Sequence, residues 1–396
     1  MRSIESMMMG LGILLVIGCG DPPADMDGGL RVDASTDDAG DTGDAGTADA
    51  GEVPGDGGSA CTPACGAGEA CFQGVCVASC GGALALPEGA VAEGLTIVAN
   101  VCRTVTGPLD VVEGDDGAVR IYDLASASVG TTTTFTLSRW TLDDAVTTPT
   151  VEVVATTAHA VDTTDVLTFA SGYVAVDPTE SAALFGYTTS ELGAIGGIFD
   201  VEVGDGSMSE LEATGNFDAT WIDANRWIVN GQGLEGAKGT GQGLWLRDRE
   251  GDSSTQLATE MGAYSGSVEV LEDVIVAGAF GTEWPEGSPG NRIFVIDRAE
   301  ALAATAPVSA WDDAVARLEG PSGFELLSGS RIASVRYDDS FGIAAFEVRA
   351  LTESGGTWTL GAPSDLTTGP DITDVVSLPG DRLLLVHANG VLIVQE

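Results

Sequence analysis

A chain of 396 residues with a formal net charge of −44 is repelled by nucleic acid and by bare anionic membrane surfaces, so neither is a direct ligand. Two histidines and one lysine leave little material for histidine-based catalysis or for a phosphate-binding lysine. Fifty-five glycines and short apolar runs exclude folds built on long helices.

Arg2 precedes an uncharged run, Met7 to Ile17, too short to span a bilayer, and residues 1–18 read as a secretory signal peptide. The run closes on Val16-Ile17-Gly18-Cys19, which resembles the lipobox of bacterial lipoproteins. The resemblance implies that Cys19 becomes the lipidated first mature residue. The chain would then be exported and lipid-anchored in the cell envelope, in the outer membrane or at the surface of a Gram-negative-type bacterium.

Residues 19–60 form an acidic spacer. From Gly20 to Ala60 there are eleven Asp or Glu against Arg31 and no aromatic residue, too little apolar surface to offset the entropy of ordering. The three Asp-Ala-Gly blocks at Asp38, Asp44 and Asp49 lack the spacing and the closing Glu of an EF-hand loop. As a flexible chain the spacer holds the remainder of the protein about 35 Å from the membrane.

Residues 61–82 are a cysteine-rich knot. With Cys19 set aside, Cys61, Cys65, Cys71, Cys76, Cys80 and Cys102 remain, an even set in an exported chain and hence a disulfide framework. Zinc is the weaker alternative, since there is no CxxC pair and no nearby histidine. The stretch Cys65 to Cys76 is similar in spacing to small EGF-like knots. Fifteen pairings are open; the favoured one joins Cys61 to Cys71, Cys65 to Cys76, and Cys80 to Cys102, the last stapling the knot to the large C-terminal domain.

Residues 83–396 carry a weak repeat: a polar turn, an apolar run, a tight Gly/Asp turn and a second apolar run. It fits residues 107–123, 160–177, 215–230, 262–277, 320–336 and 369–396, about fifty residues apart. This predicts an all-β fold, a β-propeller of six four-stranded blades, with seven blades or a β-sandwich pair as alternatives. The last repeat ends one strand short, and Gly94 to Val105, which belongs to no repeat, is the available donor of the closing strand. One helix is predicted, over Ser309 to Leu318.

In this register the second strands end at Asp123, Asp177, Asn230, Ala277, Arg336 and His387, around one mouth. Asp110, Asp162, Asp218 and Asp371 enter the first strands nearer the channel. Four carboxylates converging there would suit a divalent cation, Ca2+ being the candidate. Two long loops on the same face add Lys238, Glu283 and Trp284 as ligand contacts. The GxGxxG at Gly231 to Gly236 is not followed by a helix and makes no dinucleotide site. His159 and His387 read as packed or solvated side chains. The expected function is non-enzymatic: a monomeric, anchored scaffold binding a protein or a glycan. The alternative is a calcium-dependent hydrolase, since the chain resembles the lactonase-like six-bladed propellers in general architecture.

Overall fold

The computed structural model describes residues 61–62, 64–81, 86–87, 89–129, 132–160, 172–188, 195–214, 218–234, 237–238, 242–262, 264–281, 284–285, 289–338 and 342–396. Six sheets, antiparallel in their main strands, form six blades of a β-propeller, and their innermost strands touch one another in a closed ring. In chain order these inner strands are Leu109–Glu113, Tyr173–Val176, Asp218–Trp221, Tyr264–Leu271, Glu325–Leu327 and Ile372–Leu378. Most of their residues are buried, because each sheet is covered on both faces by its neighbours. That double burial explains why the repeats read as continuous apolar runs and not as alternating ones.

The C-terminal repeat folds as its turns dictate. Gly380 and Asp381 take positive φ between Ile372–Leu378 and Arg382–His387, and Ala388-Asn389 turns the chain into Gly390–Gln395. The fourth strand of blade 6 is Thr96–Val101, paired antiparallel with Gly390–Gln395, so the predicted segment closes the ring. Blade 3 also continues as predicted, through Gly243–Asp248 and Ser253–Thr259.

Two expectations are corrected. In blade 2 the strand expected to be second is the innermost one, Tyr173–Val176, and the second is Ala182–Thr188. Asp177 does not end a second strand; it opens the turn to Ser181, accepting hydrogen bonds from the amides of Thr179 and Ser181. The predicted helix over Ser309 to Leu318 is one short turn held by Ser309, after which Ala316–Glu319 pairs with Gly290–Asp297 as the outer strand of blade 4. The helix among the described residues is Arg298–Ala303, capped by the Asp297 carboxylate on the Glu300 amide. Strand pairing across the blade outweighs the local helical spacing.

The knot is a hairpin, Glu69–Phe72 with Val75–Ala78, turned through Gln73 and Gly74 at positive φ. Its disulfides join Cys61 to Cys71 and Cys65 to Cys76, and a third joins Cys80 to Cys102, just past the closing strand. Phe72 and Val77 are buried in one cluster with Leu327, Val335 and Phe346 of blade 5 and Leu385 and Leu392 of blade 6. The knot is therefore packed against the seam of the ring.

Candidate functional site

Two of the four acids expected around the channel are tied to backbone amides. Asp110 accepts the amide of Val111 on Oδ1 (2.7 Å) and that of Val176 in blade 2 on Oδ2 (2.6 Å). Asp218 repeats the pattern with Ala219 (2.9 Å) and Val268 in blade 4 (2.8 Å). Both are buried, and each fastens one inner strand to the next blade. Asp371 lies in the turn before the last inner strand. The buried acid of that strand is Asp374, which accepts the amide of Val375 (2.9 Å) and which sequence reasoning missed by three residues. Asp162 lies outside the described residues. Among the described residues, the His, Cys, Asp and Glu groups clustered tightly enough for a metal are Cys61, Cys65 and Cys71, and Cys65 and Cys76 with Glu69, and none of the acids of this ring is among them.

The upper face carries the connections from second to third strands. Of the residues expected to present polar groups there, several are consumed by packing. Asp123 is buried, accepts two hydrogen bonds from Arg103 (2.8 and 3.0 Å) and one from the Trp140 indole (3.1 Å). Burial lifts its carboxyl above the usual range, against the pull of Arg103. Asn230 is fully buried and donates to the carbonyls of Gly266 and Gly278 in blade 4 (3.0 and 2.9 Å).

His387 is buried, with Nε2 2.8 Å from Oδ1 of Asn100 and Nδ1 facing the Asn389 amide; burial alone lowers its pKa to about 4. Trp284 is 3% exposed, donates to the Gly290 carbonyl, and stacks on Trp311 at 5.3 Å, so it is core and not an open contact. Arg336 is half exposed and paired with Glu347 and Asp365. Lys238 lies in Ala237–Lys238, a short strand parallel to Ser254–Thr255 on the rim of blade 3. Glu283 lies outside the described residues. Asp177 is on the lower face, where Ser181 and Thr179 hold its carboxyl below the usual range although burial works against them.

What the upper face does present is a projection. The second strand of blade 1, Val119–Val129, pairs with the inner strand only up to Asp123 and runs six residues further, a rise of about 20 Å. Thr132–Thr141 and Val151–Ala160 accompany it, forming a three-stranded ribbon. Residues directly opposite share a face. One side carries Ala125, Thr136 and Thr156, then Ala127, Thr134 and Ala158, then Val129 and Thr132, with no charge among them. Val129 at its tip is 82% exposed. In a chain as acidic as this, an uncharged sheet face stands apart from its surroundings.

The other side of the ribbon is buttressed. Thr133 and Phe135 are fully buried, and Phe135 stacks on Tyr187 at 5.6 Å and approaches Phe185 and Phe199 of blade 2. The Tyr187 hydroxyl donates to Glu210 (3.0 Å) and meets His159 Nε2 at 2.7 Å. Burial, with Glu210 and Glu212 near, raises the phenol pKa, so the hydroxyl stays protonated. His159 is thus part of the ribbon's support, a role its sequence position did not reveal.

A cavity of about 240 Å³ opens by the channel, lined by Asp110 to Glu113 of blade 1, Val176 and Pro178 of blade 2, and Thr220 and Trp221 of blade 3. It lies toward the turns between first and second strands, at the end away from the expected mouth. The space suits a small solute or a few waters and not a drug-sized ligand.

No protein-family model matches the chain, and no curated protein does. Among solved structures it is similar to the β-propeller domain of the Trilobed protease from Pyrococcus furiosus, described as having an open velcro topology. There the identity is 11% over 72% of this chain and 92% of that one, with a TM-score of 0.35. It is similar to an oligogalacturonate lyase from Vibrio parahaemolyticus, 10% identical over 76% and 91% of the two chains with a TM-score of 0.41. A puromycin hydrolase is 16% identical over 73% and 43%, with a TM-score of 0.39. At these values the likenesses say nothing of activity, and the six-bladed fold rests on the strand pairing of the chain itself.

Proposed function

We propose that the chain is an exported, lipid-anchored propeller that acts as a non-enzymatic binding or scaffold protein in the cell envelope, docking a protein partner on the ribbon of blade 1. The observation that carries this reading is the uncharged outer face of that ribbon, held rigid by Phe135 against Tyr187 and Phe199. A flat surface of Ala, Thr and Val with no aromatic side chain suits a protein surface better than a sugar, which would call for a ring to stack on. The lipobox at Cys19 supports the anchored address, and the acidic spacer supports display away from the bilayer.

The test places a photo-crosslinking residue at Thr134 in the full chain, with Asp312 on blade 4 as the control position. A single discrete protein adduct formed in the envelope from Thr134 and absent from Asp312 is expected, and Ala127→Glu should abolish it. Adducts equal at both positions, or none, would remove the ribbon as the docking surface. Cys19→Ser should release the protein from membranes; continued sedimentation with them would remove the lipid anchor.

The second reading, a calcium-dependent hydrolase, draws on the channel cavity with Asp110 and Glu113 in its wall. Calorimetric titration with Ca2+ decides it: a stoichiometric site abolished by Glu113→Gln favours it, and absence of heat removes it.

A further inference from the structure

The closing strand Thr96–Val101 is held at its C-terminal end by contacts gathered around one disulfide. Cys102, the residue after it, is bonded to Cys80, the residue that leaves the knot. Inside the strand, Asn100 is 3% exposed; its amide nitrogen donates to the Ala78 carbonyl (2.8 Å) and meets Cys80 Sγ at 3.3 Å. The Asn100 oxygen faces His387 Nε2 on the middle strand of the same blade. Beyond the strand, the Cys102 amide donates to the Thr147 carbonyl of blade 1 (2.6 Å), and Arg103 pairs with Asp123.

The other two disulfides lie within the knot, closing loops of 10 and 11 residues; Cys80 to Cys102 links knot to ring. Cys80 takes φ 52° and the following Gly81 φ 82°, a left-handed backbone that a cysteine adopts only where its surroundings hold it. Both cysteines are part exposed and within reach of a small thiol.

We propose that the Cys80–Cys102 disulfide is a redox-operated clasp on the propeller seam: oxidised, it locks Thr96–Val101 onto Gly390–Gln395, and reduced, it lets that strand leave and opens blade 6. The reductant is a dithiol. Its thiolate attacks one sulfur of the pair and expels the other cysteine as a thiolate; the mixed disulfide with the attacked cysteine is then resolved by the reagent's second thiol, which displaces that cysteine in turn. The protein gains two electrons and two protons as two thiols, and the reagent leaves as its own disulfide. The ring would thus close firmly in an oxidising compartment and loosen in a reducing one.

The experiment is amide hydrogen exchange, read by mass spectrometry, on the folded full-length protein before and after mild treatment with dithiothreitol. It is paired with two double variants, Cys80→Ser/Cys102→Ser and Cys61→Ser/Cys71→Ser. Exchange in residues 96–101 and 390–395 should rise at least tenfold on reduction and in the first variant, while the inner strands of blades 2 to 4 keep their protection. The second variant should leave the seam within twofold of the oxidised protein. Unchanged seam exchange after the pair is shown by alkylation to be reduced would overturn the clasp, as would a uniform rise across all six blades. If the first variant does not fold, the reduced wild-type protein supplies the same reading.

Discussion

Tyr187 lies across Gly197. A Cβ on Gly197 would sit 2.3 Å from the phenol ring, so only glycine at this point of the third strand of blade 2 lets the ring pass over it. By crossing there the hydroxyl reaches Glu210 on the fourth strand and His159 on blade 1, and the ring becomes the floor under Phe135.

Gly197→Ala should therefore displace Tyr187 and unseat the ribbon. Overpacking of this kind costs about 1 to 3 kcal/mol. The check is a urea midpoint combined with proteolysis of the ribbon. A stability loss with the ribbon still resistant would mean that the ribbon does not depend on Tyr187.

Asp218→Ala should destabilise the ring, because two buried amides, those of Ala219 and Val268, lose a charged acceptor. The expected loss is about 2 to 3 kcal/mol, read from guanidinium unfolding. Asp218→Asn keeps one acceptor oxygen but turns an NH2 donor toward the second amide, so it should still lose at least half as much. A loss near zero in both variants would show that these two hydrogen bonds do not hold blade 3 to blade 4.

Arg103→Ala should leave the Asp123 carboxylate buried, with the Trp140 indole as its remaining side-chain donor among the described residues. Asp123 already has its carboxyl raised by burial, so in the folded state it holds its proton to higher pH than in the unfolded chain. Stability from this group is present at low pH and lost as pH rises; removing Arg103 exaggerates the trend. The variant should be weaker by about 2 to 3 kcal/mol at neutral pH, discounted for the partial exposure of Arg103, and should approach the wild type near pH 4. A deficit constant with pH would refute the charge argument.

His387 works in the opposite sense. Its folded pKa, about 4, lies below the ordinary value of 6.5, so its contribution is complete above pH 6.5 and is lost as pH falls toward 4. That window is worth up to about 3 kcal/mol. His387→Gln should unfold with a flatter pH dependence between pH 6.5 and 4 than the wild type. Parallel profiles would mean that the imidazole is not buried neutral.

Blade count and ring closure are legible in the sequence because both are matters of repetition: six turn-run-turn outlines, and Gly94 to Val105 left over where one strand was missing. That the cysteines form a disulfide framework is legible from their even number and crowding, but spacing leaves fifteen pairings open, and the favoured one is the pairing found. The phase of blade 2 is not legible. Asp177 and Pro178 make the same polar signal whether a strand ends at the upper face or turns at the lower one.

The fates of Asp110 and Asp218 are illegible for a different reason. Their partners, Val176 and Val268, are distant in sequence, and an acid that accepts a backbone amide looks in sequence like one that ligates a metal. Trp284 misleads in the same way: a tryptophan in a long loop reads as exposed, and here Trp311 and Phe294 enclose it.

The seam imposes an order on the life of the chain. Thr96–Val101 is made before any other strand of the propeller, and its partner, Gly390–Gln395, after all of them. The earliest strand must stay unpaired while every other blade is made, and its ladder forms at the cost of the longest loop closure in the molecule. A product cut off before Gly390 would have five blades able to form and a sixth lacking its third strand, with no place for Thr96–Val101 to dock. Closure of the ring thus waits for Gly390–Gln395, and a chain lacking that strand leaves an open sheet edge, the feature by which a quality-control protease or chaperone would distinguish it.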